Sequence, residues 1–183
     1  MEFIVSNFNW IALAAALVGL GFAFYTAQWL LQQPTGDAKM AKIALAIQRG
    51  AQAFLNREYR YVAILIVIVV VVLLLLSAIP NSGMSPWTAL AYVVGALASA
   101  LSGYFGMSIA TRANIRTTAA AAKSLNSGLR VAFASGTVMG LTVVGLSLAG
   151  ISLLFVLLTN LIPDPVAAAN ALVGFCFGGT SIA

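Results

Sequence analysis

All nine basic residues of this chain fall in two short blocks: Lys39, Lys42, Arg49, Arg57 and Arg60, then Arg112, Arg116, Lys123 and Arg130. Long apolar stretches lie around and between them. In one of these, residues 62–79, Ser77 is the single polar side chain. A multi-span membrane protein shows this pattern when its basic loops stay on the cytoplasmic side. It sets the solvent and the topology before any motif is read. Both blocks are expected in the cytoplasm, the N-terminus outside, and the loops at Asn81-Ser82-Gly83 and Asp164 outside.

Composition excludes the soluble alternatives. Hydrophobic residues make up 62% of the chain and charged residues 7%, against roughly a quarter charged in a soluble domain. The mean hydropathy is +1.03. The net charge of +5 is then not a nucleic-acid footprint, because the basic blocks are Ala-rich and lack the interleaved aromatics that stack on bases. The cations instead orient the protein against an anionic leaflet. With no His, the commonest acid–base group and metal ligand is missing. The lone Cys176 excludes an intramolecular disulfide and reads as a small buried helix residue. The four carboxylates, Glu2, Asp37, Glu58 and Asp164, are too scattered to suggest a paired site, so no catalytic, cofactor-binding or metal-ligating residue is assigned here.

The expected fold is an all-α integral membrane bundle of about five spans, near residues 8–31, 61–79, 87–110, 131–158 and 166–183. Residues 38–60 and 111–130 are expected as helical extensions into the cytoplasm. Trp10 and Trp29 near the ends of the first span match an aromatic belt. Pro34, Gly36 and Asp37 break the chain. The next helix then places Met40, Ile43, Ile47, Ala51, Phe54 and Leu55 on one face and Lys39, Lys42, Arg49 and Arg57 on the other. No breaker separates it from the apolar run at Tyr61, so one long helix is expected, with Gly50 its weakest point. Pro80 to Gly83, Asn126-Ser127-Gly128 and Pro163-Asp164-Pro165 mark the later turns. The last apolar segment runs to Ala183 with no closing flank, which suggests a chain cut inside a helix.

Small residues recur at four-residue spacing. Gly95, Ser99 and Gly103 share one helix face, and Gly136 and Gly140 form a GxxxG. In lipid such faces let helices approach closely, so all five are expected to be buried helix contacts. The glycines do not cradle phosphate, for no strand precedes them and no Lys-Ser/Thr follows.

Four separated pieces carry a resemblance. They are Gly50-Ala51 with Ala53-Phe54-Leu55 and Arg57-Glu58-Tyr59; Gly106-Met107 with Ile109-Ala110-Thr111-Arg112-Ala113-Asn114 and Arg116-Thr117; Val131-Ala132-Phe133; and Val138-Met139-Gly140. In this order and these topological places they resemble the membrane-bound, ion-translocating pyrophosphatases, from residue 38 onward. Ala134-Ser135 departs from the family's pattern. The resemblance implies a sixteen-span homodimeric pump in a bacterial inner membrane, with six inner helices inside ten outer ones. It implies hydrolysis of pyrophosphate, bound with Mg²⁺ and in some members dependent on K⁺, coupled to export of H⁺ or Na⁺. Val143-Val144-Gly145-Leu146 leans toward the proton-pumping members. The family's acidic loop follows its fifth helix, beyond Ala183. The chain is therefore expected to be an inactive N-terminal part of the pump. The alternative is a small complete membrane scaffold or transporter subunit.

One feature of the second block points outside the chain. Arg112 and Arg116, at i and i+4, share a helix face, and two close guanidiniums repel unless something anionic joins them. Either lipid headgroups or an acidic residue of the missing part is expected to do so.

Overall fold

Helix ends fall where caps and prolines stand. The computed structural model describes residues 2–79 and 84–182. These form five α-helices: α1 (Glu2–Leu31), α2 (Ala38–Ser77), α3 (Pro86–Ala121), α4 (Leu125–Leu161) and α5 (Pro165–Thr180). The connection after α1 contains Gly36 at φ 75°, a left-handed conformation that glycine adopts without strain. Asp37 then caps α2, its Oδ1 accepting the Met40 N–H at 2.7 Å, which satisfies one of the first orphan donors. Asp164 caps α5 in the same way, accepting from the Val166 N–H at 3.0 Å, with Pro165 in the first turn. The Pro80 to Gly83 break lies outside the described residues.

The turn between α3 and α4 is not where Asn126-Ser127-Gly128 suggested. It lies at Ala122–Ser124, and those three residues sit inside the first turn of α4. Ser124 is the reason: its Oγ accepts the Ser127 N–H at 3.2 Å, a serine N-cap. Gly128 serves close approach instead, since a Cβ there would lie 2.7 Å from the Ala121 Cβ.

Four helices, with α1 counted from Asn7, are long and apolar enough to cross a membrane. At 1.5 Å per residue the 40 residues of α2 reach about 60 Å, twice a hydrocarbon core of about 30 Å. The 16 residues of α5 reach only about 24 Å, so the fifth expected span is short. None of the most apolar stretch of α2 is buried within the chain. Val67 and Leu75 stand 62% and 65% exposed, which only lipid or more protein can cover without a large hydrophobic cost. The amphipathic face expected in α2 is also uncovered: Ile43, Ile47 and Phe54 are exposed, while Ala44 and Leu55 are buried. Cys176 is exposed rather than buried.

The chain divides into two compact units. One comprises Met1–Leu17, Tyr59–Leu101 and Gly145–Ala183. Its core joins Ala91, Leu154 and Phe175 in one cluster, and Leu158, Ala168 and Ala171 in another. Here α3 and α5 meet backbone to backbone. A Cβ built at Gly95 would overlap the carbonyl oxygen of Phe175; at Gly174 it would overlap that of Thr88, and at Gly178 that of Tyr92. The Tyr59 hydroxyl adds a cross-link, donating to the Ala100 carbonyl at 2.6 Å.

The other unit comprises Val18–Glu58 and Ser102–Val144. It contains every basic residue except Arg60. Its core is Leu30, Ala113 and Val131, flanked by Trp29, Ile109, Ala120 and Ala134.

Candidate functional site: cations gathered at three helix ends

Within this second unit the end of α1, the last third of α3 and the start of α4 converge. The last carbonyls of any helix lack partners inside it, and α1 has no basic residue in its last turn. Each is nevertheless accounted for. The Gln32 N–H lies 3.3 Å from both the Gln28 and the Trp29 carbonyls, and the Gln33 N–H donates to Leu30 at 3.1 Å. The Gln33 amide adds a bond to Trp29 at 3.1 Å. The final carbonyl, Leu31, is taken by Arg116, whose Nε and Nη2 donate to it at 3.2 and 2.8 Å. A third donor, Nη1, bonds the Arg112 carbonyl at 2.7 Å.

Arg116 thus caps α1 from a helix far along the sequence, placing a cation on the negative end of the α1 dipole. The half-buried guanidinium is held below its usual pKa, first by burial and then by the neighbouring charge of Arg112; an arginine stays protonated regardless. Carbonyl oxygens of this chain, those of Leu31 and Arg112, thus meet the Arg116 guanidinium.

Arg130, at the start of α4, holds its guanidinium 5.3 Å from the Trp29 ring centroid, a cation–π distance. Around these residues opens a cavity of about 200 Å³, lined by Trp29, Gln33, Arg116, Lys123, Ser127 and Arg130 among others. No carboxylate lines it. Arg112 does not line this cavity. It is exposed and belongs to a smaller one, of about 100 Å³, with Gln48, Gln52, Tyr104, Ser108 and Thr111.

The small-residue faces part company. Gly95 is buried in the α3–α5 contact, and Ser99 and Gly103 are half-buried. Gly136 and Gly140 make no such contact in this chain: both are exposed, and a Cβ on either would have nothing within 4 Å. The GxxxG that does pack is Gly174 with Gly178 in α5. Its four-residue spacing is visible in the sequence, on the short final segment.

A sequence profile described as inorganic H⁺ pyrophosphatase matches residues 17–183. The chain belongs to that family. Among its curated relatives, "K(+)-insensitive pyrophosphate-energized proton pump 2" of Moorella thermoacetica is 44% identical over 170 residues, covering 93% of this chain and 24% of the relative. The "Putative K(+)-stimulated pyrophosphate-energized sodium pump" of Bacteroides thetaiotaomicron is 40% identical over 154 residues, covering 84% and 21%. A "K(+)-insensitive pyrophosphate-energized proton pump" of Methanosarcina mazei is 38% identical over 168 residues, covering 92% and 23%. The chain therefore spans less than a quarter of the length of these pyrophosphatases.

A pyrophosphatase implies Mg²⁺, which takes clustered oxygen ligands. The described carboxylates do not fit that demand. Asp37 and Asp164 are engaged as helix caps, Glu58 is exposed, and no group of three His, Cys, Asp or Glu comes together among the described residues.

Proposed function

We propose that this chain is the N-terminal part of a pump that hydrolyses pyrophosphate to two phosphates on the cytoplasmic side of a bacterial inner membrane and exports H⁺. The observation that carries this reading is the 44% identity over 170 residues to a relative named as a proton pump. Val143-Val144-Gly145-Leu146 leans the same way. Export of Na⁺ is the second reading, favoured by the 40% identical relative named as a sodium pump. Mg²⁺ with the pyrophosphate, K⁺ sensitivity and a homodimer belong to the proposal.

The test uses inverted vesicles carrying the longer protein. Pyrophosphate with Mg²⁺ is expected to acidify the lumen in Na⁺-free buffer, and a protonophore to abolish the signal. Protonophore-resistant uptake of radioactive sodium gives the pump to Na⁺ instead. Absence of both refutes the reading, and repeating the assay with and without K⁺ assigns the K⁺ class. The 183-residue chain alone is expected to release no phosphate above a mock purification, since metal-assisted phosphoryl transfer needs a ligand cluster. Release by the chain overturns that part.

The proposed topology has the N-terminus outside and both basic blocks inside, from the distribution of the nine cations. Ser124 caps α4, so the exposed Ala122 beside it is the better probe. In a Cys176→Ala background, an impermeant thiol reagent applied to intact cells is expected to label Ser82→Cys and spare Ala122→Cys. The reverse pattern inverts the topology.

Two structural roles complete the proposal. Ser99, Gly103, Gly136 and Gly140 pack against helices of the longer protein. Arg112, exposed while Arg116 is engaged within the chain, is the arginine left to pair with an acidic group there.

A further inference from the structure

The cavity beside the α1 cap gathers positive charge with no described carboxylate in its lining. Arg116, Lys123 and Arg130 all line it, with Gln33 and Ser127 as further hydrogen-bonding groups and no carboxylate. The carboxylate nearest in sequence, Asp37, is bonded to the Met40 N–H. Arg116 meets two neutral carbonyls, and the α1 terminus offsets only about half a charge. Arg130 lies over the ring of Trp29, and stacking on an aromatic face uses none of a guanidinium's N–H donors, which remain for an acceptor. A tetrahedral oxyanion matches such a set, because guanidiniums bind phosphate oxygens in pairs.

We propose that this cavity binds a phosphate group, and that the group is the headgroup phosphate of an anionic phospholipid. The source follows from the surroundings. Trp29 and Arg130 stand at the edges of long apolar stretches, where headgroups lie. The same helices expose apolar side chains close by: Phe22 and Tyr25 on α1, and Phe133 on α4, are 55%, 68% and 72% exposed. A lipid anchored through its phosphate lays its acyl chains along that surface, which a soluble ion leaves bare.

Trp29 reports on the site directly. In the full chain with Trp10→Phe and Trp87→Phe, reconstituted in phosphatidylcholine nanodiscs, brominated phosphatidylglycerol is expected to quench Trp29 at a lower mole fraction than brominated phosphatidylcholine. Lys123→Gln and Arg130→Gln should each reduce that preference by about fivefold. Arg112→Gln, outside the cavity, should leave it intact. Lys123 is exposed, so its replacement tests the site without disturbing the core. Equal quenching by the two lipids, or a preference that survives both substitutions, overturns the site. Loss of the preference on adding millimolar inorganic phosphate assigns the cavity to a soluble ion and overturns the lipid.

Discussion

Gly178→Ala is expected to destabilise the chain by about 1–3 kcal/mol, the cost of overpacking a close contact. Gly179→Ala, one residue on, is expected to leave stability unchanged or raise it by up to about 1 kcal/mol, because alanine favours a helix over glycine. The opposite signs follow from what each methyl meets. At Gly178 it runs into the Tyr92 carbonyl and lies 2.7 Å from the Ala96 nitrogen; at Gly179 nothing lies within 4 Å. Backbone cannot swing aside as a side chain can, so α5 must move off α3. Gly178→Leu should part the two helices and open the cluster of Ala91, Leu154 and Phe175. Denaturation of the micelle-bound chain by SDS, followed by circular dichroism, measures each variant. Alanine shifts of the same sign and size at both positions would show that close α3–α5 packing is not what Gly178 provides. In the same assay Gly136→Leu should stay within about 0.5 kcal/mol of wild type, as for an open surface site. The longer pump proposed above should assemble poorly with it if Gly136 meets another helix there; normal thermal stability assigns that face to lipid.

The contrast between Gly178 and Gly136 marks how far the sequence could be read. Both belong to GxxxG pairs, and a small-residue pair says only that a helix can be approached closely. Which pair is used depends on partners that the spacing does not name. Apolar periodicity has the same limit: it marks Ile43, Ile47 and Phe54 as a face to be covered but not what covers it, and within this chain all three stay exposed. Local chemistry read better. Asp37 and the Pro-Asp-Pro at residues 163–165 end and start helices through their own caps, and the absence of a breaker between Ala38 and Ser77 left α2 continuous. Asn126-Ser127-Gly128 misplaced a turn because the serine two residues earlier is the stronger capping signal. The spacing of Arg112 and Arg116 exposed a charge problem. Its solution, a carbonyl 85 residues away in sequence, has no local signature.

Arg116→Ala is expected to lower the stability of the chain by about 1.5–3 kcal/mol, the range for hydrogen bonds to a charged group. Its removal strips the Leu31 carbonyl of its Nε and Nη2 donors and takes a cation from the α1 terminus, where such charges stabilise by up to about 1 kcal/mol. Arg116→Lys should recover only part of the loss, since an ammonium is a point charge without the planar fork that spans the Leu31 and Arg112 carbonyls. Arg112→Ala should be neutral or slightly stabilising. It relieves the repulsion that Arg116 feels, and the carbonyl that Arg116 bonds at residue 112 belongs to the backbone and survives the change. The fingerprint is local as well as global: amide hydrogen exchange at Gln32 and Gln33, whose N–H groups bond the carbonyls just before Leu31, should speed up in Arg116→Ala and not in Arg112→Ala. Equal effects of the two alanines would mean that the block acts through its summed charge rather than through this cap. In the pyrophosphate-driven pump proposed above, Arg116→Ala should lower activity and stability together with little change in the apparent affinity for pyrophosphate. A large rise in KM at unchanged kcat and stability would instead mark Arg116 as a substrate contact.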